Sequence, residues 1–169
     1  MRARTNFKGS ENPGAPNKGF SLIELLIVVA VILIIAAIAI PNFIRSKMHA
    51  NEAAAAQNLR NISTAEVAYS TMYGIGFSSN LTQLSGTLLI ADQNNAGLID
   101  QVLASGTKSG YIYTYTVLTT DPQSHVTSYS VNADPQLVGS SGQRHYYTDQ
   151  SGVIRANDTT TAGPSDTPI

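Results

Sequence analysis

The sequence predicts an α+β protein in which a long N-terminal helix packs its distal half on a small antiparallel sheet. Three observations carry this expectation. Leu22–Ile40 is a run of 19 residues of which 14 are Leu, Ile or Val, four are Ala and one is Glu24. A one-sided apolar stripe with helical spacing follows it. Further on, Tyr111–Leu118 and Val126–Val131 are β-branched and aromatic, with Asp121-Pro122 as the turn between them.

Residues 1–18 lack apolar periodicity and contain Asn12-Pro13-Gly14-Ala15-Pro16-Asn17, which reads as a disordered leader. As a helix, Leu22–Ile40 spans roughly 28 Å at about 1.5 Å per residue, close to the hydrocarbon thickness of a bilayer. Its aliphatics contribute roughly −4 to −8 kcal/mol to insertion, against about +3 kcal/mol for a central carboxylate. Glu24 lies near one end, where that cost is smaller, so insertion wins. Beyond Pro41, Ile44, Met48, Ala55, Leu59, Ile62, Tyr69 and Tyr73 recur at spacings of a single helix face. Arg45, Asn51, Glu52, Asn58, Asn61 and Glu66 are expected on the opposite, solvent-facing side. Gly74 and Gly76 supply the stop. The two patterns predict one helix of about 50 residues, bent or loosened at Pro41, which has no N–H to donate.

Residues 77–109 carry mixed signals around a short helix near Leu98–Ala104. Tyr111, Tyr113 and Tyr115 alternate onto one face, as a sheet face packing a helix requires. Asp134-Pro135 ends the second strand, and Arg144–Thr148 with Val153–Arg155 predict a short hairpin. Residues 156–169 offer little to pack and are expected as a loose tail. The resulting division is a basic leader (1–19), a membrane-spanning helix (20–41), a translocated α+β domain (42–155) and the tail (156–169).

The chain has 169 residues, a net charge of −1 and no cysteine. Thiolate catalysis, thiolate zinc sites and disulfides are therefore excluded. The bulk charge argues against a strongly basic duplex-binding surface, so no nucleic-acid partner is expected. Residues 1–19 hold four basic side chains and one acidic one, a net of +3, and the remainder holds six and ten, a net of −4. That order is expected of a segment with its head in the cytoplasm and its body translocated. No nucleophile elbow, phosphate loop or zinc-helix motif occurs, so neither an enzyme nor a cofactor is expected. Asp121, Asp134 and Asp149 fall in predicted turns, where Asp makes local hydrogen bonds, and no loop matches an EF-hand; no metal site is expected.

Glu24 admits two readings. It could pair with the new ammonium group at Phe20 if the chain is cut after Gly19, fixing register between neighbouring molecules. Alternatively it is a favourable acid in the first turn of a helix, or snorkels to the interface. Gly19-Phe20 is a possible cleavage junction, the glycine letting extended backbone enter a protease cleft. The competing reading is a secretory signal peptide cut at Ala37-Ile38-Ala39, or a simple tether carrying a binding module.

The string from Lys18-Gly19-Phe20-Ser21-Leu22-Ile23-Glu24 through Ala30, closed by Ile40-Pro41, resembles the N-terminal signature of type IV pilins and type II secretion pseudopilins. Residues Gly142–Arg155 are similar, more loosely, to C-terminal strands of pilin-like proteins. The resemblance implies cleavage between Gly19 and Phe20 by a membrane-embedded prepilin peptidase, with methylation of the Phe20 amine. It implies that Glu24 engages the Phe20 amine of a neighbouring subunit and that the helix kinks at Pro41. Identical subunits would assemble into a helical filament, drawn from the inner membrane by a platform protein and a cytoplasmic ATPase. Many pilins close a C-terminal loop with a disulfide; this chain must hold it otherwise.

Overall fold

The computed structural model describes residues 19–86 and 91–169; the leader expected at 1–18 lies outside the described residues. The chain divides into two compact units, Met1–Ala39 and Ile40–Ile169. Helix α1 runs over Leu22–Tyr73, 52 residues against an expected 50 or so. Its helical backbone continues through Pro41. It ends where the Gly74 N–H bonds the Ser70 carbonyl at 3.0 Å, with Gly74 in the left-handed region at φ +66°.

In the first unit the helix is apolar all round and its large side chains are exposed, from Leu22 at 80% to Ile35 at 61%. Such a surface is stable only against lipid or other helices.

In the second unit α1 buries Ala55, Leu59, Ile62 and Tyr69, as the stripe predicts, together with Ala56 and Ala65. These side chains pack on one face of a six-stranded sheet whose order follows the sequence, every neighbour antiparallel. The strands are β1 (Thr107–Lys108), β2 (Tyr111–Thr120), β3 (Val126–Pro135), β4 (His145–Asp149), β5 (Arg155–Asn157) and β6 (Thr167–Pro168). Tyr111 and Tyr113 face the helix, and Tyr115 is half-buried beside them. The short helix α3 (Gln101–Ala104) is capped by Asp100, whose side chain accepts from the Leu103 N–H. Helix α2 (Leu81–Leu84) was not expected; Asn80 caps it through the Gln83 N–H, and Gln83 Oε1 accepts from the Ser79 N–H at 2.7 Å.

Three expectations need correction. Asn58 and Glu66, placed by sequence on the solvent face, are buried. Both lie at helical spacing with the stripe, and each finds polar partners inside. Asp134, expected in a turn, lies within β3, with its Oδ1 2.6 Å from His145 Nδ1 of β4.

The third concerns residues 156–169, which form part of the sheet rather than a loose tail. β6 pairs with β5, and Ala162 is buried. Asp166 clasps this end: its carboxylate accepts from Asn157 Nδ2 at 3.0 Å and the Gly163 N–H at 2.8 Å, and its carbonyl accepts from Arg155 Nη1 at 3.0 Å. The Ile169 N–H closes onto the Ile154 carbonyl at 2.9 Å. Low apolar content concealed this order, because it is built from polar groups. Asp166→Ala removes two of these acceptors and is expected to cost about 1–2 kcal/mol locally. Hydrogen exchange should then accelerate at the Gly163 amide while α1 amides in the core stay protected.

Candidate assembly and processing site

Helix α1 begins one residue after Ser21, and the sequence Ser21-Leu22-Ile23-Glu24 is a capping-box pattern. The Glu24 carboxylate accepts from the Ser21 N–H at 2.9 Å, and the Leu25 N–H donates to the Ser21 carbonyl at 3.2 Å. Glu24 therefore occupies the first-turn position where an acid is favourable. Its carboxylate lies beside the nitrogen of the residue that follows Phe20. Gly19 and Phe20 precede the helix, and Phe20 is 80% exposed. The junction backbone is thus free of helical hydrogen bonds. Pro41 sits within α1 and supplies no N–H toward the carbonyl of Ala37.

In the second unit the polar positions on the buried face of α1 act as attachment points. Asn58 Nδ2 donates to the Tyr113 hydroxyl at 2.9 Å. Glu66 is fully buried and accepts from Ser78 twice, from its N–H at 2.8 Å and its hydroxyl at 2.5 Å. The Tyr115 hydroxyl donates to the Ser78 carbonyl at 2.7 Å, so one loop residue joins the helix to β2. Burial pushes the Glu66 carboxyl above the ordinary range, with the Ser78 bonds opposing it. Burial also pushes the Tyr129 and Tyr146 phenols up to about 12, Glu66 adding to the shift at Tyr129 and Glu52 at Tyr146.

Near the start of this buried face, Asn51 and Glu52 grip the β3–β4 connection. Asn51 Nδ2 donates to the Ser141 carbonyl at 2.7 Å, and Glu52 Oε1 accepts from the Gln143 N–H at 2.9 Å. Asp121 and Asp149 make the local turn bonds expected of them, to the Gln123 and Ser151 N–H groups, both at 2.9 Å. Sequence reasoning missed Asn51, Glu52, Asn58 and Glu66 as attachment residues. For Glu66 a signal existed: the step from Ile62 to Tyr69 leaves an empty slot four residues after Ile62.

Residues 15–40 match the family described as the prokaryotic N-terminal methylation motif. The chain is 51% identical over 53 residues to the type IV major pilin protein PilA of Myxococcus xanthus, a match covering 31% of this chain and 24% of that protein. It is also 30% identical over 94 residues to the type IV wide pilus major component PilA4 of Thermus thermophilus, covering 56% of this chain and 69% of that protein. The chain belongs to the type IV pilin family.

The match spans only about a quarter of the Myxococcus protein's length. This pilin has the long N-terminal helix and antiparallel sheet expected from its sequence, and it carries the methylation motif over the junction and the apolar run.

Proposed function

We propose that this pilin is a structural subunit of a type IV pilus, made as a membrane-inserted precursor. The observation that carries the reading is the helix of residues 22–40, apolar on every side and uncovered in the single chain. Lipid satisfies that surface first, and the helices of identical subunits replace lipid with little net change. The basic leader stays in the cytoplasm, a prepilin peptidase cuts between Gly19 and Phe20, and the Phe20 amine is methylated. Glu24 then exchanges its local cap for the amine of a neighbouring subunit, supplying an axial register that aliphatic packing alone leaves permissive. Pro41 is the point where the helix yields. A platform protein and a cytoplasmic ATPase drive extraction from the membrane. Both relatives are major pilus components, which favours a pilus over a secretion pseudopilus.

The test is to shear filaments from the producing cells and identify their protein by electron microscopy and peptide mapping. This chain is expected as a filament component. Its recovery only as a monomer in membrane or medium would overturn the reading in favour of a tethered or secreted module.

A further inference from the structure

Strand β2 gives the second unit a direction. Tyr111, at its start, contacts the α1 region of Asn51 and Glu52 through the β3–β4 loop, Tyr113 bonds Asn58, and Tyr115 reaches the Ser78 that Glu66 holds. The start of β2 is therefore at the end of the unit nearest Ile40. Since Tyr111 pairs with Pro135, the β3–β4 loop of residues 136–144 lies at that same basal end.

This loop displays Leu137 at 65% and Val138 at 53% exposure. Beyond Ile44, no large apolar side chain among the described residues is more exposed than Leu137. The loop is built, not slack. The Leu137 N–H donates to Ser141 Oγ at 2.9 Å, the Gly139 N–H to the Gly142 carbonyl at 2.9 Å, and Asn51 ties down Ser141. A Cβ at Gly142 would lie 2.2 Å from the Tyr111 hydroxyl, so the backbone is pressed against the core there.

On α1, Ile44 and Lys47 precede Asn51 by seven and four residues, and Arg45 precedes Glu52 by seven. Those spacings put all three on the face that grips the loop. Arg45 and Lys47 are exposed, and Phe43 is 70% exposed just before them. Asn51 stands roughly 16 Å of helix beyond Ile40, the last residue of the apolar run, and Phe43, Arg45 and Lys47 lie on the turns between them.

We propose that the basal loop 136–144, with Phe43, Arg45 and Lys47, is a membrane-contact surface. In the unassembled pilin it rests on the anionic phospholipid surface from which the apolar helix emerges. Leu137 and Val138 enter the interface, and the two basic side chains reach lipid phosphates, the combination that binds interfacial segments. The occupant follows from continuity with the apolar span and from the charge of Arg45 and Lys47. The inference rests on the membrane-inserted state proposed above.

The absence of cysteine allows clean single-site labelling. The full chain would be reconstituted in phosphatidylethanolamine–phosphatidylglycerol vesicles carrying brominated acyl chains. An environment-sensitive fluorophore would be placed at Leu137→Cys, at Leu118→Cys as an exposed apolar control at the other end of β2, and at Ile32→Cys within the span. Quenching is expected at Ile32 and at Leu137, with Leu118 at least about threefold less quenched. Adding Arg45→Gln and Lys47→Gln should reduce the Leu137 signal. Quenching at Ile32 with none at Leu137 would overturn this inference and leave the filament reading standing. A blue shift at Leu137 that grows with protein density, without bromolipid quenching, would assign the surface to a second copy and equally overturn it. No quenching at Ile32 would remove the inserted state and this inference with it. Leu137 quenching unchanged by the two Gln substitutions would overturn the part given to Arg45 and Lys47.

Discussion

Glu24→Ala should abolish incorporation of the pilin into filaments while leaving membrane insertion and the folded second unit intact. Insertion is expected to improve slightly, because an intramembrane carboxylate opposes it. Assembly is expected to fail because the neighbour's Phe20 amine would enter a helix bundle with no counter-charge. An uncompensated buried charge costs about 3–5 kcal/mol, or roughly two to four powers of ten in the assembly equilibrium. The structure adds a complication, since Glu24 also caps its own helix through the Ser21 N–H at 2.9 Å. Loss of a cap alone costs only about 1 kcal/mol. Glu24→Gln separates the two roles, because its amide oxygen can still accept from Ser21 but carries no charge. Assembly lost in both variants, scored by sheared-filament yield at equal membrane levels, supports intersubunit pairing. Assembly restored by Gln would reduce Glu24 to a cap.

Glu66→Ala should be a strongly damaging truncation of a polar side chain on the helix face of the second unit. It leaves the Ser78 N–H without its acceptor in a buried site, leaves the Ser78 hydroxyl only the longer bond to the Asn80 carbonyl, and opens a void between α1 and β2. The two effects together are expected to cost about 3 kcal/mol. Glu66→Gln behaves differently. Its amide oxygen accepts from the Ser78 N–H, and its amide nitrogen can donate to Ser78 Oγ while that hydroxyl donates to the Asn80 carbonyl, now 3.1 Å away.

The pH dependence follows from the direction of the shift at Glu66. Its folded pKa lies above the unfolded value of 4.5, so between the two the folded state holds more protons than the unfolded one. The contribution of Glu66 to stability is complete below 4.5 and is lost as pH rises through the folded value. Urea unfolding of the chain in detergent, compared between wild type and Glu66→Gln, should show the wild type losing ground as pH increases from 4.5 toward 8. A difference between the two proteins that does not change over this range would contradict the account.

These residues show what the sequence made legible. The long helix was visible because uninterrupted aliphatics and a 3.6-residue stripe are strong signals, and its end was marked by Gly74. The tyrosine face of β2 and the turn at Asp121-Pro122 were equally plain. Legibility failed where polar side chains do the holding. The polar type of Glu66 and Asn58 points to solvent, although their spacing puts them on the packed face. The C-terminal strand was missed because Asp166, Asn157 and Arg155 organise it through hydrogen bonds that depend on residues distant in sequence, including Asn132, which donates to the Ala162 carbonyl. The junction residues were legible as a motif, while the local bond between Ser21 and Glu24 shows only in the folded chain.

The most direct test of the central claim is the intact mass and N-terminal sequence of this pilin taken from filaments sheared off the producing cells. The chain is expected to begin at Phe20 and to be one methyl group heavier than the unmodified sequence from that residue. A chain beginning near Ile40 would mean that the apolar segment had been removed as an ordinary signal peptide. No filament core could then be built from it, which would contradict a pilus subunit cleaved after Gly19.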